Sequence, residues 1–388
     1  MTPDTKRSVP FSPPNLGDEE IAEVLDTLRS DWITTGPKTQ GFEAEFREFV
    51  QAPAALALNS CTAGLHLALV TLGVGPGDRV ATVPMTFAAS VNVIEHVGAT
   101  PLLIDVDPHT LNLCPRDLER KLTDDVKAII AVHYAGHPVE LDEIMHIAKS
   151  RGIPVIEDAA HALAASYRGR PIGSHGNLTA YSFYATKNMT TCEGGMLTGP
   201  PELLERARVM SLHGLSKDAS RRYGPDGKWR YDILAPGFKY NMTDLAAAIG
   251  RVQLRRMDEF QKRRREIVAL YDEALDAYPE VMVLPEHEHV TSAQHLYVIR
   301  LDLHALRIDR DEFMTELRAR GVSPSVHFIP IHVHPYYRDK YGFEPGDFPN
   351  TNEAYECMLS LPLFSRMTDE DVAHVIESTR EVLEKSRR

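Results

Sequence analysis

The stretch SFYATKNMTTCEGGM, residues 182–196, alternates apolar and polar residues as a strand does, and Lys187 stands where that alternation stops and a loop of small residues follows. Taken alone, Lys187 reads as a solvated surface lysine. Asp158 and Asp105 each follow an apolar run. In open α/β sheets ligands bind outside the carboxyl ends of the strands, so such carboxylates are expected round one crevice. Taken alone, Asp158 reads as a helix N-cap or a loop turn. A lysine amine and a buried carboxylate delivered to one sheet edge suit pyridoxal phosphate chemistry. The amine forms a Schiff base, and the carboxylate keeps the pyridine nitrogen protonated so that the ring acts as an electron sink. Opposite charges about 4 Å apart at an effective dielectric near 20 attract by about 4 kcal/mol, roughly three pKa units, which suffices to hold that proton at neutral pH. A lysine freed from the cofactor can then move a proton to and from the substrate carbon.

The phosphate of such a cofactor needs an anion site. NSCTAGLH (59–66) offers Asn59, Ser60 and Thr62 as polar groups and Ala63 and Gly64 as small ones, where a helix is expected to begin with free backbone N–H groups. Ser182 could add a hydroxyl. Ser60 and Thr62 read equally well as plain helix caps. No GxGxxG follows a strand and no GxxxxGK[ST] occurs, which disfavours a dinucleotide or P-loop site.

The elements that must carry these residues follow from the apolar pattern. Helical periodicity runs through EEIAEVLDTLRS (19–30) and QGFEAEFREFV (40–50), with WITTGPK between them. Strands are expected at 54–60, 79–84, 100–107, 127–136, 153–160 and 179–185, with helices at 61–73, 86–98 and 139–152. Strands so uniformly apolar are buried on both faces, which predicts an α/β fold with a mostly parallel central sheet. SYRGRPIGSHGN (166–177) has the composition of a turn or hairpin. Residues 243–275 read as nearly continuous helix, whose basic run RRMDEFQKRRR reads as a solvated face. Strand-like 295–303, helix-like 310–321 and a Pro- and His-rich segment suggest a small C-terminal α/β domain. The expected division is 1–250, a large cofactor-binding domain with the N-terminal segment, and 251–388.

The 388 residues carry 42 Lys plus Arg against 55 Asp plus Glu, a formal charge of −13 that opposes a nucleic-acid partner. Cys61, Cys114, Cys192 and Cys357 are scattered, with neither metal-ligand nor disulfide spacing, which fits a reducing cytoplasm. No signal-peptide pattern or membrane-length apolar run is present, so no membrane partner is expected. In HFIPIHVHPYY (327–337), His332 and His334 would share one face of a strand, but no third ligand accompanies them and no metal is expected.

Several linked motifs, VIEDAAH, IGSHGN, SFYATKN followed by EGG, GFKYNMTD and WITTGP, in this order from about residue 9 to near residue 380, resemble the DegT/StrS-type sugar aminotransferases of aspartate aminotransferase fold type I. The resemblance implies that Lys187 is the Schiff-base lysine, Asp158 the carboxylate under the pyridine nitrogen and His161 the partner of the cofactor's phenolic oxygen. It implies Phe87 and Ala160 on the two faces of the ring; taken alone, Phe87 would be core. Thr62, Ala63 and Ser182 match phosphate contacts. Asn241 matches a contact from the neighbouring subunit, which implies a homodimer with shared active sites. GFKYNMTD has Lys239 and Asn241 where many members have Asn and Arg, the variant that resembles the subgroup making UDP-4-amino-4-deoxy-L-arabinose and related 4-keto-6-deoxyhexose enzymes. A lysine at position 187 is unlike the histidine of the family's dehydratases. Lys239, His327, Thr34 and Thr35 are the substrate candidates; Lys239 reads equally as an exposed lysine, and Trp32, Thr34 and Thr35 as a helix-connecting turn. The implied activity is transfer of an amino group from an amino acid, glutamate returning as 2-oxoglutarate, to the C4 ketone of a nucleotide-linked keto sugar. The rivals are a cyclitol or 3-keto-sugar aminotransferase and a non-catalytic regulator that binds pyridoxal phosphate or a sugar.

Overall fold

The computed structural model describes residues 7–216 and 231–388. Two helices, α1 (Asp18–Arg29) and α2 (Pro37–Phe49), precede the alternation β1 (Ala54–Leu58), α3 (Cys61–Thr71), β2 (Arg79–Thr82), α4 (Ala89–His96), β3 (Thr100–Leu103), α5 (Pro115–Lys121), β4 (Val126–Val132), α6 (Leu141–Ser150) and β5 (Val155–Asp158). A short hairpin, β6 (Ser166–Tyr167) and β7 (Arg170–Pro171), leads to β8 (Leu178–Ser182), β9 (Gly195–Gly199) and α7 (Pro201–Ser211). The remainder is α8 (Asp244–Arg255), α9 (Met257–Leu275), β10 (Val281–Val283), β11 (Val290–Thr291), β12 (Tyr297–Leu301), α10 (Arg310–Ala319), α11 (Pro335–Tyr341), α12 (Pro349–Cys357), β13 (Met358–Leu361) and α13 (Asp369–Ser386).

The central sheet has the order β1-β9-β8-β5-β4-β2-β3. Its neighbours from β8 through β3 pair in parallel, and β9 runs antiparallel between β8 and β1. The apolar strands are covered on both faces, as their composition requires. Helix α3 is buried almost all round and packs so close to the sheet that a Cβ on Gly64 would lie 3.2 Å from Ala180 Cβ. A second core gathers β12, β13, α9, α10 and α13, and Val9 joins it by bridging to Val322, so the N-terminal segment crosses to the C-terminal layer.

Some expectations fail in instructive ways. The strand before Lys187 ends at Ser182, because β9 turns back antiparallel and the chain leaves the sheet to make that hairpin. The expected long helix is two, broken at Arg256 (φ −93°, ψ 2°), whose guanidinium bonds the buried Glu20 of α1 at 3.0 Å. The basic run is not wholly a solvated face: Arg264 is buried and donates to the carbonyls of Gln294, His295 and Leu363. Residues 331–333 form a 3-10 turn rather than a strand, so His332 and His334 lose their common face, and His332 Nε2 lies 3.0 Å from Asn352 Oδ1. Among the described residues, no group of three or more His, Cys, Asp or Glu side chains could hold a metal, and no helix is long and apolar enough to cross a membrane.

Candidate active site

At the carboxyl edge of the central sheet, β4, β5 and β8 deliver their last residues, and the turn after β1 its Ser60, to one cavity of about 410 Å³, within the range of small-molecule sites. Lys187 and Asp158 both line it. Asp158 is the last residue of β5, not a helix cap, and is 5 % exposed. Its Oδ2 accepts from Ser90 Oγ at 2.7 Å, and Oδ1 accepts from the Ala160 N–H at 3.1 Å. Asp105 does not join it: its carboxylate caps α12 through the N–H groups of Asn350 and Thr351, because β3 is the far edge of the sheet.

Lys187 lies in the β8–β9 loop, its N–H bonded to Tyr184 O. The loop is closed by Phe183 N–H to Gly194 O and Thr191 N–H to Phe183 O, both 3.0 Å. The ammonium has no hydrogen-bond or ion-pair partner among the described residues. Burial pushes its pKa down to about 8, against the opposing effects of Cys61 and Asp158. The Cys61 thiol is pushed up, first by burial and then by Asp158.

His161 also lines the cavity, its ring between His295 (centroids 4.3 Å apart) and Phe328 (5.7 Å), and its buried Nδ1 has no partner among the described residues. Burial, then the charges of Lys187 and His327, hold His161 uncharged at neutral pH. His327 lines the same cavity, stacked on Phe11, with burial lowering its pKa to about 4. Thr62, Phe87, Ala160 and Ser182 complete the wall. Phe87 is 63 % exposed, so it is not the core residue that its type suggests.

The start of α3 lines the cavity through Ser60, Cys61 and Thr62. Ser60 caps the helix by accepting from the Ala63 N–H at 3.1 Å, while the N–H groups of Cys61 and Thr62 have no partner among the described residues. Ala63 itself lies off the cavity, its N–H taken by Ser60. Gly195 lets β9 reach this turn: a Cβ there would lie 2.4 Å from Ser60 C and Cys61 N.

The remaining predicted residues lie elsewhere. Asn241 donates to Thr35 Oγ1 at 2.6 Å and contacts the Lys239 ammonium, and neither lines this chain's cavity. Thr34 accepts from Asp244 N–H, and the Trp32 indole donates to Thr35 O, so WITTGPK is built as a turn against α8. Ser90, Thr86, Cys61, Asn188 and His295 escaped sequence reasoning, since single Ser, Thr and Asn residues carry no signal until a fold brings them together. HLYVIR did read as a strand, but its first residue, His295, gave no sign that it reaches the cavity.

A lone amine, an oriented carboxylate, an uncharged imidazole lining the cavity and open amides at a helix start match the carbonyl, pyridine, phenol and phosphate groups of pyridoxal phosphate. A family model described as "DegT/DnrJ/EryC1/StrS aminotransferase family" matches residues 14–380. The chain is 48 % identical over 377 residues to the spore coat polysaccharide biosynthesis protein SpsC of Bacillus subtilis (strain 168), covering 97 % of each chain. The solved structure of the putative sugar aminotransferase Spr1654 from Streptococcus pneumoniae in its PMP form is 38 % identical, with a TM-score of 0.92 over 97 % of this chain and 99 % of that one. That of S. venezuelae DesV in complex with a ketimine intermediate is 30 % identical, with a TM-score of 0.88 over 97 % and 99 %.

Proposed function

Since the chain belongs to the DegT/DnrJ/EryC1/StrS aminotransferase family and is a sugar aminotransferase dependent on pyridoxal phosphate, we propose that it moves the amino group of L-glutamate to the C4 ketone of a nucleotide-linked keto sugar, a 4-keto-6-deoxyhexose or 4-keto-pentose. The observation that carries this reading is the meeting of Lys187 and Asp158 in one cavity whose floor is the open start of α3. Residues 1–250 would form the cofactor-binding domain and 251–388 the smaller one.

In this reading Asp158 would hold the pyridine nitrogen, His161 the phenolic oxygen, and the amides of Cys61 and Thr62 the phosphate, together with the hydroxyls of Thr62 and Ser182. Phe87 and Ala160 would flank the ring. When bound, pyridoxal phosphate supplies a carbonyl for amine exchange and an electron sink beside the substrate carbon. Lys187 Nζ, on a flexible stem and with its proton held loosely by burial, takes the proton from the donor's Cα and in the return half gives one back to sugar C4. Ser90 keeps the Asp158 carboxylate aimed while this happens. Neutral His161 donates a hydrogen bond without adding a second cation to the cavity.

A homodimer with shared sites completes the proposal. Asn241 and Lys239 lie off their own cavity, and exposed Phe87, Tyr184, Ile233 and Leu234 supply apolar surface for a second subunit. Lys239 of one subunit would then meet the nucleotide diphosphate and Asn241 the cofactor of the other. The free, scattered cysteines support work in the cytoplasm.

The test is the absorption spectrum of the purified enzyme before and after L-glutamate, followed by 4-keto and 3-keto nucleotide sugars. Loss of the yellow chromophore with glutamate and its return with the 4-keto sugar are expected. A chromophore that glutamate leaves unchanged would favour the regulator, and recovery with the 3-keto sugar alone would move the chemistry to C3.

A further inference from the structure

His295 is held on every side but one. Its N–H donates to Ala135 O at 3.1 Å, and its carbonyl accepts from the buried Arg264 guanidinium at 3.3 Å. Asn188, the residue after Lys187, donates from Nδ2 to Ala293 O at 2.7 Å, which leaves its Oδ1 to face His295 Nδ1 at 2.8 Å. An amide oxygen only accepts, so Nδ1 of His295 carries the proton and Nε2 is a bare lone pair. That nitrogen has no partner among the described residues, is not fully buried, and belongs to a ring that lines the catalytic cavity.

The stacked neighbour, His161, is not fixed in this way. Its Nδ1 is buried without a partner among the described residues, so no hydrogen bond there selects either tautomer. The two rings stand side by side with 4.3 Å between centroids. His327 has no such lock, because its Nδ1 faces the Ser360 hydroxyl, which can donate or accept.

We propose that His295 is a specificity-determining residue whose Nε2 accepts a hydrogen bond from a donor group of the substrate, a sugar hydroxyl or the ammonium of the amino acid, with Asn188 as the residue that fixes its tautomer. This rests on the transaminase reading above. It gives the cavity an acceptor that carries no charge, so a hydroxyl or ammonium is recognised without an acid that would compete with Asp158 for protons.

Two measurements test it separately. In holoenzyme labelled with 15N-histidine, long-range proton–nitrogen correlations near pH 7 should show His295, assigned by the signal missing from His295→Phe, as the Nδ1–H form, and Asn188→Ala should mix the two forms. An Nε2–H or doubly protonated His295 overturns the proposal, whether or not the enzyme is active. Then the half-reactions are followed by cofactor absorption, one with L-glutamate and one with dTDP-4-keto-6-deoxyglucose. His295→Phe should raise the half-saturating concentration about tenfold in one arm, the loss of one hydrogen bond, with the cofactor's absorption maximum unmoved. The affected arm says whether ammonium or hydroxyl is bound, and Asn188→Ala should give a smaller rise in the same arm. Unchanged values in both arms overturn the substrate contact. Wild-type enzyme inert in both arms overturns the transaminase reading and that contact with it, while the tautomer is still decided by the NMR.

Discussion

Ser90 Oγ donates to Asp158 Oδ2 at 2.7 Å, so the acid at the end of β5 is aimed from the first turn of α4. Thr86 Oγ1, 2.8 Å from Ser90 Oγ, extends the link. Ser90 is 1 % exposed, and no water replaces its hydroxyl without a new cavity. Ser90→Ala should therefore weaken pyridoxal phosphate binding about tenfold or more, the range for a hydrogen bond to a charged group. Titration of cofactor-free protein, followed by absorbance, measures it; an unchanged dissociation constant would mean that Asp158 needs no such help.

The Lys187 amine should capture cofactor with a pH midpoint near 8 rather than that of an ordinary lysine. Only the neutral amine attacks a carbonyl, so the rate constant should rise as pH increases through that value and then level off. The same shift acts on folding. Between pH 8 and 10.5 the unfolded chain binds more protons at this residue than the folded one, so the cofactor-free protein should gain stability from Lys187 as pH rises through that window. Stopped-flow rates and a Lys187→Arg control isolate the group.

Gly195→Ala should damage both stability and cofactor binding. The added Cβ meets backbone, Ser60 C and Cys61 N at 2.4 Å, and no side-chain rotation relieves that contact. A loss of about 1–3 kcal/mol is expected from such overpacking. Moving the start of α3 should weaken phosphate binding as well. Thermal unfolding and cofactor titration together check it, and a variant with native values in both would separate this turn from the site.

Shared sites would appear on mixing two defective enzymes. Lys187→Ala should abolish transamination, and Asn241→Asp, which would put a carboxylate where an anion is to be held, should cut it about a hundredfold. Dissociated and reassociated together, the two form mixed dimers in which one site carries both defects and the other neither, and activity should return in part. No recovery after verified exchange would place Asn241 in its own subunit's chemistry or outside the chemistry altogether.

Much of the site was legible because its parts are marked locally. The strand-to-loop change near Lys187 and the apolar run ending at Asp158 are features of a few consecutive residues, and so is the polar, small-residue start of α3. Asp105 carried the same local mark as Asp158 and went elsewhere, since a strand end says nothing of the strand's place in the sheet. Arg264 looked like one more solvated cation because its three carbonyl partners belong to distant segments. Phe87 looked like core for the converse reason: an aromatic at a cavity mouth and one in the interior have the same side chain.

Composition and periodicity by themselves determined the α/β class, the buried parallel strands and the pairing of an amine with an acid, because a repeat of apolar residues and a break in it are written along the chain. The tertiary structure alone decided that β9 runs backwards, that Asp105 leaves the cavity to cap α12, and that the Asn188 amide meets His295 Nδ1. Those relations join residues far apart in sequence, and hydrogen-bond direction and strand order exist only once the segments have packed.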